Sequence, residues 1–251
     1  MDKIFTKNIE HESAVKHVTG KAIYTDDISE PKNLLHAVIG YSNCSKGVIK
    51  KIDYKDVLSS EGVVDIITEK DIEGINDVGP IFKGDKIFTS KNIEYYGQPI
   101  FAVIAKTNNL AKKAALKVKI DLKISKPIVS IEEALKKKSF VLKPKHLTRG
   151  NIKDGFKRSD NFLKGQLYSG GQDHFYLEGQ IAMTIPQEDN NFLVYSSTQH
   201  PSETQQIIGK VLKQNYNSIH VIVRRIGGGF GGKETQSFLF AAITSLSLIH
   251  I

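Results

Sequence analysis

Apolar positions change their period several times along this chain, and each change marks an element. Val63-Val64-Asp65-Ile66-Ile67 is β-branched and mostly apolar, and it predicts a strand. Thr68 follows and can cap a short helix over residues 69–72. Ile100 to Ala105 is an unbroken apolar run, the pattern of a strand buried on both faces. Thr107 then opens a helix, because Leu110, Ala111, Ala114, Ala115 and Val118 recur at helical spacing. Residues 117–122 return to alternation and predict another strand. Later, Phe192 to Tyr195 predicts a strand, and Ser202-Glu203-Thr204-Gln205 has the form of a capping box. Ile207, Ile208, Val211 and Leu212 give the buried face of the helix it would start. A strand over 219–224 follows. Residues 235–251 then read as a helix apolar on all sides, which needs partners on several sides.

These elements predict an α+β chain, mixed α/β in its first part. Residues 1–125 form that part. Residues 126–160 read as a connection, punctuated by Pro127 and Pro144. Within it, Ser130-Ile131-Glu132-Glu133 is a capping box for a short helix ending in Lys136, Lys137 and Lys138. Lysines suit that end, where free carbonyls carry partial negative charge. Residues 161–251 are richer in glycine and aromatics. No internal repeat is visible.

Composition narrows the classes. The chain has 251 residues, 40% hydrophobic and 25% charged, enough for a sizeable core. No apolar run approaches the ~18 residues of a membrane helix. The start, Met1-Asp2-Lys3, carries no apolar leader. One cysteine, Cys44, excludes an internal disulfide framework and an Fe–S cluster held by this chain alone. Together these favour a cytoplasmic protein. The net charge of +8 raises the question of nucleic acid. Residues 112–158 hold 15 Lys/Arg against 4 Asp/Glu, so the rest of the chain is slightly acidic. The excess is nearly all lysine, without the arginine forks or aromatic platforms that read bases. A solvated helix end and linker accounts for it.

Candidate chemistry sits on loops. Gly227-Gly228-Gly229-Phe230-Gly231-Gly232-Lys233-Glu234 lies between a predicted strand and a predicted helix. Glycines there let the backbone take positive φ and approach a ligand, and N–H groups at a helix start attract anions. Two nucleotide patterns overlap on it, G-x-G-x-x-G and G-x-x-x-x-G-K, so the match is cheap. Glu234 stands where a phosphate loop needs a hydroxyl for magnesium. No later βα unit supplies a ribose contact. A nucleotide-binding loop over residues 227–233 and a purely structural turn remain alternatives. Ser196-Ser197-Thr198-Gln199-His200-Pro201 is a second strand-to-helix switch. If the two strands are neighbours, both loops open on one edge, the usual ligand position in α/β arrangements. A third segment, Gly170 to Glu178, holds an Asp173-His174 pair; on a strand the two would face opposite sides and make a poor acid–base dyad. There is no Cys/His cluster of metal-ligand spacing.

The residues then become recognisable. The chain resembles the N-terminal part of the molybdenum-cofactor subunit of the xanthine dehydrogenase and aldehyde oxidase family. Gly20-Lys21-Ala22-Ile23-Tyr24-Thr25-Asp26-Asp27-Ile28 resembles that subunit's opening motif. Tyr96-Gly97-Gln98-Pro99-Ile100 is similar to a strand entry of its hammerhead domain. Gly170 to Glu178 is similar to the segment opening the cofactor region. Ser197-Thr198-Gln199 and Gly228 to Glu234 resemble its two pterin-edge loops, 31 positions separating Gln199 from Phe230.

The resemblance implies an α/β hammerhead domain over 1–125, a basic connecting segment over 126–160, and the first part of a truncated molybdopterin-binding domain over 161–251. It implies a molybdenum–molybdopterin cofactor, held by the pterin dithiolene and not by protein side chains. Gln199, Gly229, Phe230 and Gly231 would contact the cofactor, with Gln199 and Phe230 in the molybdenum environment. Glu234 would contact a purine such as xanthine or hypoxanthine, since aldehyde-oxidising relatives tend to be apolar there. Water would supply the oxygen. Fe–S and FAD groups would lie on partner subunits of a full-length oligomer, without membrane or nucleic acid. The general base would lie outside these residues, so no catalytic residue is expected here. The chain would be an N-terminal fragment, inactive alone, with residues 246–251 of uncertain origin.

Overall fold

The computed structural model describes residues 10–250; the expectations resting on Met1-Asp2-Lys3 and on Ile251 lie outside them. The strands are β1 (His36–Tyr41), β2 (Gly47–Asp53), β3 (Val63–Ile67), β4 (Asn92–Ile93), β5 (Pro99–Ala105), β6 (Lys119–Ile124), β7 (Ala182–Pro186), β8 (Phe192–Ser196) and β9 (Ile219–Ile222). The helices are α1 (Ala14–Val18), α2 (Lys55–Leu58), α3 (Asn108–Ala115), α4 (Ile131–Lys136), α5 (Ile152–Lys157), α6 (Pro201–Leu212) and α7 (Ser237–His250). Three small sheets run β1-β5-β3, β4-β2-β6 and β7-β8-β9. This is the α+β mixture expected.

The described residues up to Ser125 and those from His174 onward cluster as one compact unit. The apolar run of β5 explains how its cores are arranged. As the middle strand of its sheet, antiparallel to both β1 and β3, β5 is buried along its whole length. Alternation sends Ala102 and Ile104 into a core shared with Ile67, Phe88, Val194, Ile207, Ile208, Phe238 and Ala242. Phe101, Val103 and Ala105 face a second core with Ile49, Val57, Ala111 and Ala114. Thr107 caps α3 as expected, its hydroxyl accepting the Leu110 N–H at 3.2 Å.

Phe101 is fully buried, and its ring meets Tyr54 edge-on at 5.2 Å between centroids. Gly40 lies opposite it across the β1–β5 ladder, where a Cβ would come within 2.2 Å of the ring. Only a residue without a Cβ leaves the aromatic room. Phe101→Ala should therefore cost about 3–5 kcal/mol. Urea unfolding should show this as a lower midpoint at unchanged slope. A loss below about 1 kcal/mol would refute this account of the core.

The third sheet carries the arrangement that matters for a site. β8 and β9 are parallel, Phe192 pairing Ile219 and Tyr195 pairing Ile222, and α6 makes the crossover. The carboxyl ends of both strands therefore open on the same edge. β7 pairs β8 on its other side, antiparallel. The helix expected from Ser202 begins earlier: Pro201 is its first residue and His200 its N-cap, so Ser202 sits inside the first turn. Proline's fixed φ suits that first position and it needs no N–H partner. Similarly β9 stops at Ile222, short of Arg224, and α7 starts at Ser237 instead of Thr235.

Lys126–Asp173 forms the second unit. In it, Ser130 caps α4 through the Glu133 N–H at 3.2 Å, and Asn151 caps α5. Lys137 follows α4 and bonds Glu133 at 2.6 Å. Lys136, Lys137 and Lys138 are all exposed, which fits a solvated helix end.

Candidate functional site

Three stretches of chain meet at the open edge of the third sheet. The first is the loop after β8, residues 196–200. Ser196, Ser197 and Thr198 are buried, and the hydroxyls of Ser197 and Thr198 brace the loop. The Thr198 hydroxyl accepts from Ser237 at 2.7 Å and from the His200 N–H at 3.1 Å. Ser237 is the first residue of α7, so this bond ties the start of that helix to the first loop. His200 itself is exposed and lies 3.5 Å from Glu203, a surface residue without a place in the site.

The second stretch is the glycine loop between β9 and α7. It curls back over Gln199. The Gln199 N–H donates to the Lys233 carbonyl at 2.8 Å. Its side-chain oxygen accepts the N–H groups of Gly231 at 3.1 Å and Lys233 at 3.2 Å. Two backbone donors can only meet the carbonyl oxygen, so the orientation of the amide is fixed. Among the described residues the Gln199 Nε2 has no hydrogen-bond partner and is not fully buried, which leaves a neutral donor available to a ligand. Gly229 is packed against this amide: a Cβ there would lie 2.5 Å from its oxygen. Gly231, at φ +87°, has open space where a Cβ would be. Phe230 takes φ +51° with its ring 77% exposed, an uncommon backbone state for a bulky residue. Glu234 is exposed at the foot of the loop.

The third stretch, His174 to Gln180, is not a strand. Its backbone is irregular, with Phe175 at φ +48°. It passes beneath the glycine loop. His174 and Tyr176 both crowd the place where Gly232 would carry a Cβ, at 2.9 and 2.8 Å. Gln180 donates to the Gly232 carbonyl and to the Tyr176 hydroxyl, each at 2.9 Å. The sequence reading concentrated on Asp173 and His174 here and passed over the residue that anchors the site, Glu178. One oxygen of Glu178 accepts from Gly227 N–H at 2.7 Å, from the Ser197 hydroxyl at 2.5 Å and from the Lys233 ammonium at 3.2 Å. Lys233 is wholly buried, also donates to Ser197 at 2.7 Å, and stands 4.7 Å from the centre of the Tyr176 ring. Nothing in local spacing pairs positions 178, 197 and 233; a lysine beside glycines invited a phosphate reading instead.

That burial decides against the phosphate loop. A phosphate-binding lysine must reach outward, and this one is spent inward on a carboxylate. Among the described residues no group of three His, Cys, Asp or Glu could hold a metal ion. None of their helices is long and apolar enough to cross a membrane. The loop edge offers one neutral donor, the Gln199 Nε2, and open space at Gly231. These suit a bulky polar group that brings its own metal ligands, as the pterin cofactor would.

Known proteins give a consistent picture. Residues 19–126 match the family model for the aldehyde oxidase and xanthine dehydrogenase a/b hammerhead domain. Residues 133–249 match that for the molybdopterin cofactor-binding domain. The chain is 37% identical over 246 residues to xanthine dehydrogenase of Dictyostelium discoideum, covering 98% of this chain and 18% of that protein. It is 38% identical over 242 residues to aldehyde oxidase 1 of Bos taurus, covering 95% and 18%. The chain thus spans about a fifth of the length of the curated relatives it matches. In fold it resembles the aldehyde oxidoreductase of Desulfovibrio gigas, with TM-score 0.80, 24% identity and coverage of 94% and 28%. Quinoline 2-oxidoreductase of Pseudomonas putida 86 is similar, at TM-score 0.80 and 20% identity over 94% of this chain and 32% of that one.

Proposed function

Because the chain belongs to the xanthine dehydrogenase and aldehyde oxidase family of molybdenum oxidoreductases, we propose that it supplies one wall of a molybdopterin site that oxidises a purine. The observation that carries this reading is the locked amide of Gln199. Its oxygen is held by Gly231 and Lys233, and its Nε2 is free to donate at the shared edge of β8 and β9.

When bound, the molybdenum group supplies the redox chemistry, with water as the source of oxygen. The residues of this chain bind and orient. Gln199 donates one neutral hydrogen bond toward the metal's surroundings. Gly229 and Gly231 let the backbone approach the cofactor, and Phe230 stands exposed beside it. Glu234 accepts from the N–H groups of a heterocycle. No residue of this chain is proposed as the general base, and the chain alone is proposed to be inactive. Fe–S and FAD groups are proposed to lie on partner subunits of a cytoplasmic oligomer, outside these 251 residues, whose one buried cysteine cannot hold a cluster. The division at 1–125, 126–160 and 161–251 belongs to the same proposal.

Whole-chain identity does not separate substrates, since xanthine dehydrogenase and aldehyde oxidase relatives match almost equally. Glu234 carries the choice of purine. A site built to pair a substrate N–H loses much of its preference when its partner is removed. Glu234→Val in the complete enzyme should lower kcat/KM for xanthine or hypoxanthine at least about tenfold more than for an aldehyde. Equal losses on both would reject the purine assignment. An intact wild-type enzyme that holds no molybdenum would reject the proposal as a whole.

A further inference from the structure

We infer that Lys233 is a positioning residue: its buried ammonium, clasped by Glu178 and Ser197, sets the direction in which the Gln199 amide donates. This rests on the cofactor-facing role proposed for Gln199 and adds a part that no feature of that role requires.

A buried ammonium–carboxylate pair is a costly way to fill space. Desolvating both charges consumes most of their attraction, and apolar residues of similar volume often do as well for stability. Its geometry suggests what it contributes instead. The Glu178 oxygen gathers donors from both neighbouring stretches: the hydroxyl of Ser197 on the first loop, and the backbone of Gly227 and the ammonium of Lys233 at the entrance and near the end of the glycine loop. The ammonium also bonds Ser197 directly. Three segments, distant in sequence, are thereby held to one point.

The consequence falls on Gln199. The backbone of Lys233 both accepts from the Gln199 N–H and donates to its side-chain oxygen. Residue 233 therefore grips the amide with its main chain while its side chain is anchored beneath. With Nζ fixed on Glu178 and Ser197, the main chain at 233 cannot slide along the loop. The N–H groups of Gly231 and Lys233 then stay converged on one oxygen, and the Nε2 of Gln199 has one direction.

The test uses the full 251-residue chain without cofactor, so its result does not depend on whether the molybdopterin reading holds. Hydrogen exchange is followed at the amides of Gly227 and Gly231, at core amides of β5, and at the side-chain NH₂ of Gln199 by NMR. In Lys233→Met, protection at Gly227 and Gly231 should fall at least about tenfold further than at the β5 amides, which report the overall loss of stability. The Gln199 NH₂ pair should shift and broaden. Should that single variant not fold, Glu178→Gln/Lys233→Met leaves no buried charge unpaired and reads the same amides. Protection at Gly227 and Gly231 that is retained within twofold, or that falls only in step with β5, would overturn the inference. So would an unmoved Gln199 NH₂ pair in a folded variant. If the loop loosens as expected yet the complete wild-type enzyme holds no molybdenum, the cofactor reading fails and the positioning role stands.

Discussion

Gly229→Ala should leave the protein folded and nearly abolish its contribution to turnover. A Cβ at this position would fall 2.5 Å from the Gln199 side-chain oxygen and 2.7 Å from its amide carbon. Real atoms cannot stay that close. The cheapest relief is for the Gln199 amide to move, because it is the flexible end of a side chain at a partly exposed site. Backbone and core need not follow. The amide then loses the Gly231 and Lys233 donors that fix it, and its Nε2 no longer points where a cofactor would meet it. Misplacement of a positioning group by about 1 Å costs on the order of 10²-fold in rate. In the complete enzyme, kcat should drop by about that factor, with the thermal midpoint of this chain changed by only a few degrees. Turnover within about twofold of wild type would mean that the orientation of Gln199 is immaterial.

The second large effect is on stability. Lys233→Ala removes the cation from a carboxylate that is almost fully enclosed and already accepts from Gly227 and Ser197. Glu178 would be left charged, buried and short of its partner. Breaking one side of a buried pair typically costs about 3–5 kcal/mol. That is a large part of the ~5–15 kcal/mol that holds a domain folded, so poor expression or a sharply lower urea midpoint is expected. The paired replacement Glu178→Gln/Lys233→Met should recover most of the loss, since neither side chain then carries a charge. A double-mutant cycle measures this directly. Additive losses in the two single variants would show that the pair does not act as a unit.

Exposed ion pairs elsewhere offer a useful contrast. Lys119 and Asp56 meet at 2.6 Å on the surface, and the bond to Lys119 holds the Asp56 carboxyl below the usual carboxylate range. Water screens both partners, so this bond adds little to stability. The same chemistry at Glu178 and Lys233 matters because solvent is excluded.

Much of the fold is legible in local pattern. The strand over 63–67, the doubly buried strand near 100–105 and the helix capped by Thr107 all appear where their periodicity puts them. Each depends on contacts a few residues away: alternation across a pleat, or a hydroxyl reaching a nearby N–H. Boundaries fared less well. Pro201 starts α6 ahead of the Ser202 box, and the chain leaves β9 early as Arg225 turns to bond Ser13 and the Ile23 carbonyl. The site was half legible. Gln199, Gly229, Phe230, Gly231 and Glu234 stand on two loops whose strand-to-helix context is written in the sequence. Glu178 and Lys233 were visible only as a segment end and a misleading phosphate-loop lysine.

The sequence alone determined the element types, the absence of a cysteine framework, the localised basicity and the two loops that carry polar chemistry. These are set by neighbours along the chain. Only the tertiary structure decided that β8 and β9 lie side by side and parallel, so that the loops meet. It alone decided that Lys233 points inward to Glu178 and that the Gln199 amide has one orientation. The reason is physical: burial and hydrogen-bond partnership are properties of groups brought together in space. Positions 178, 199 and 233 acquire them only when three separate stretches of chain close over one another.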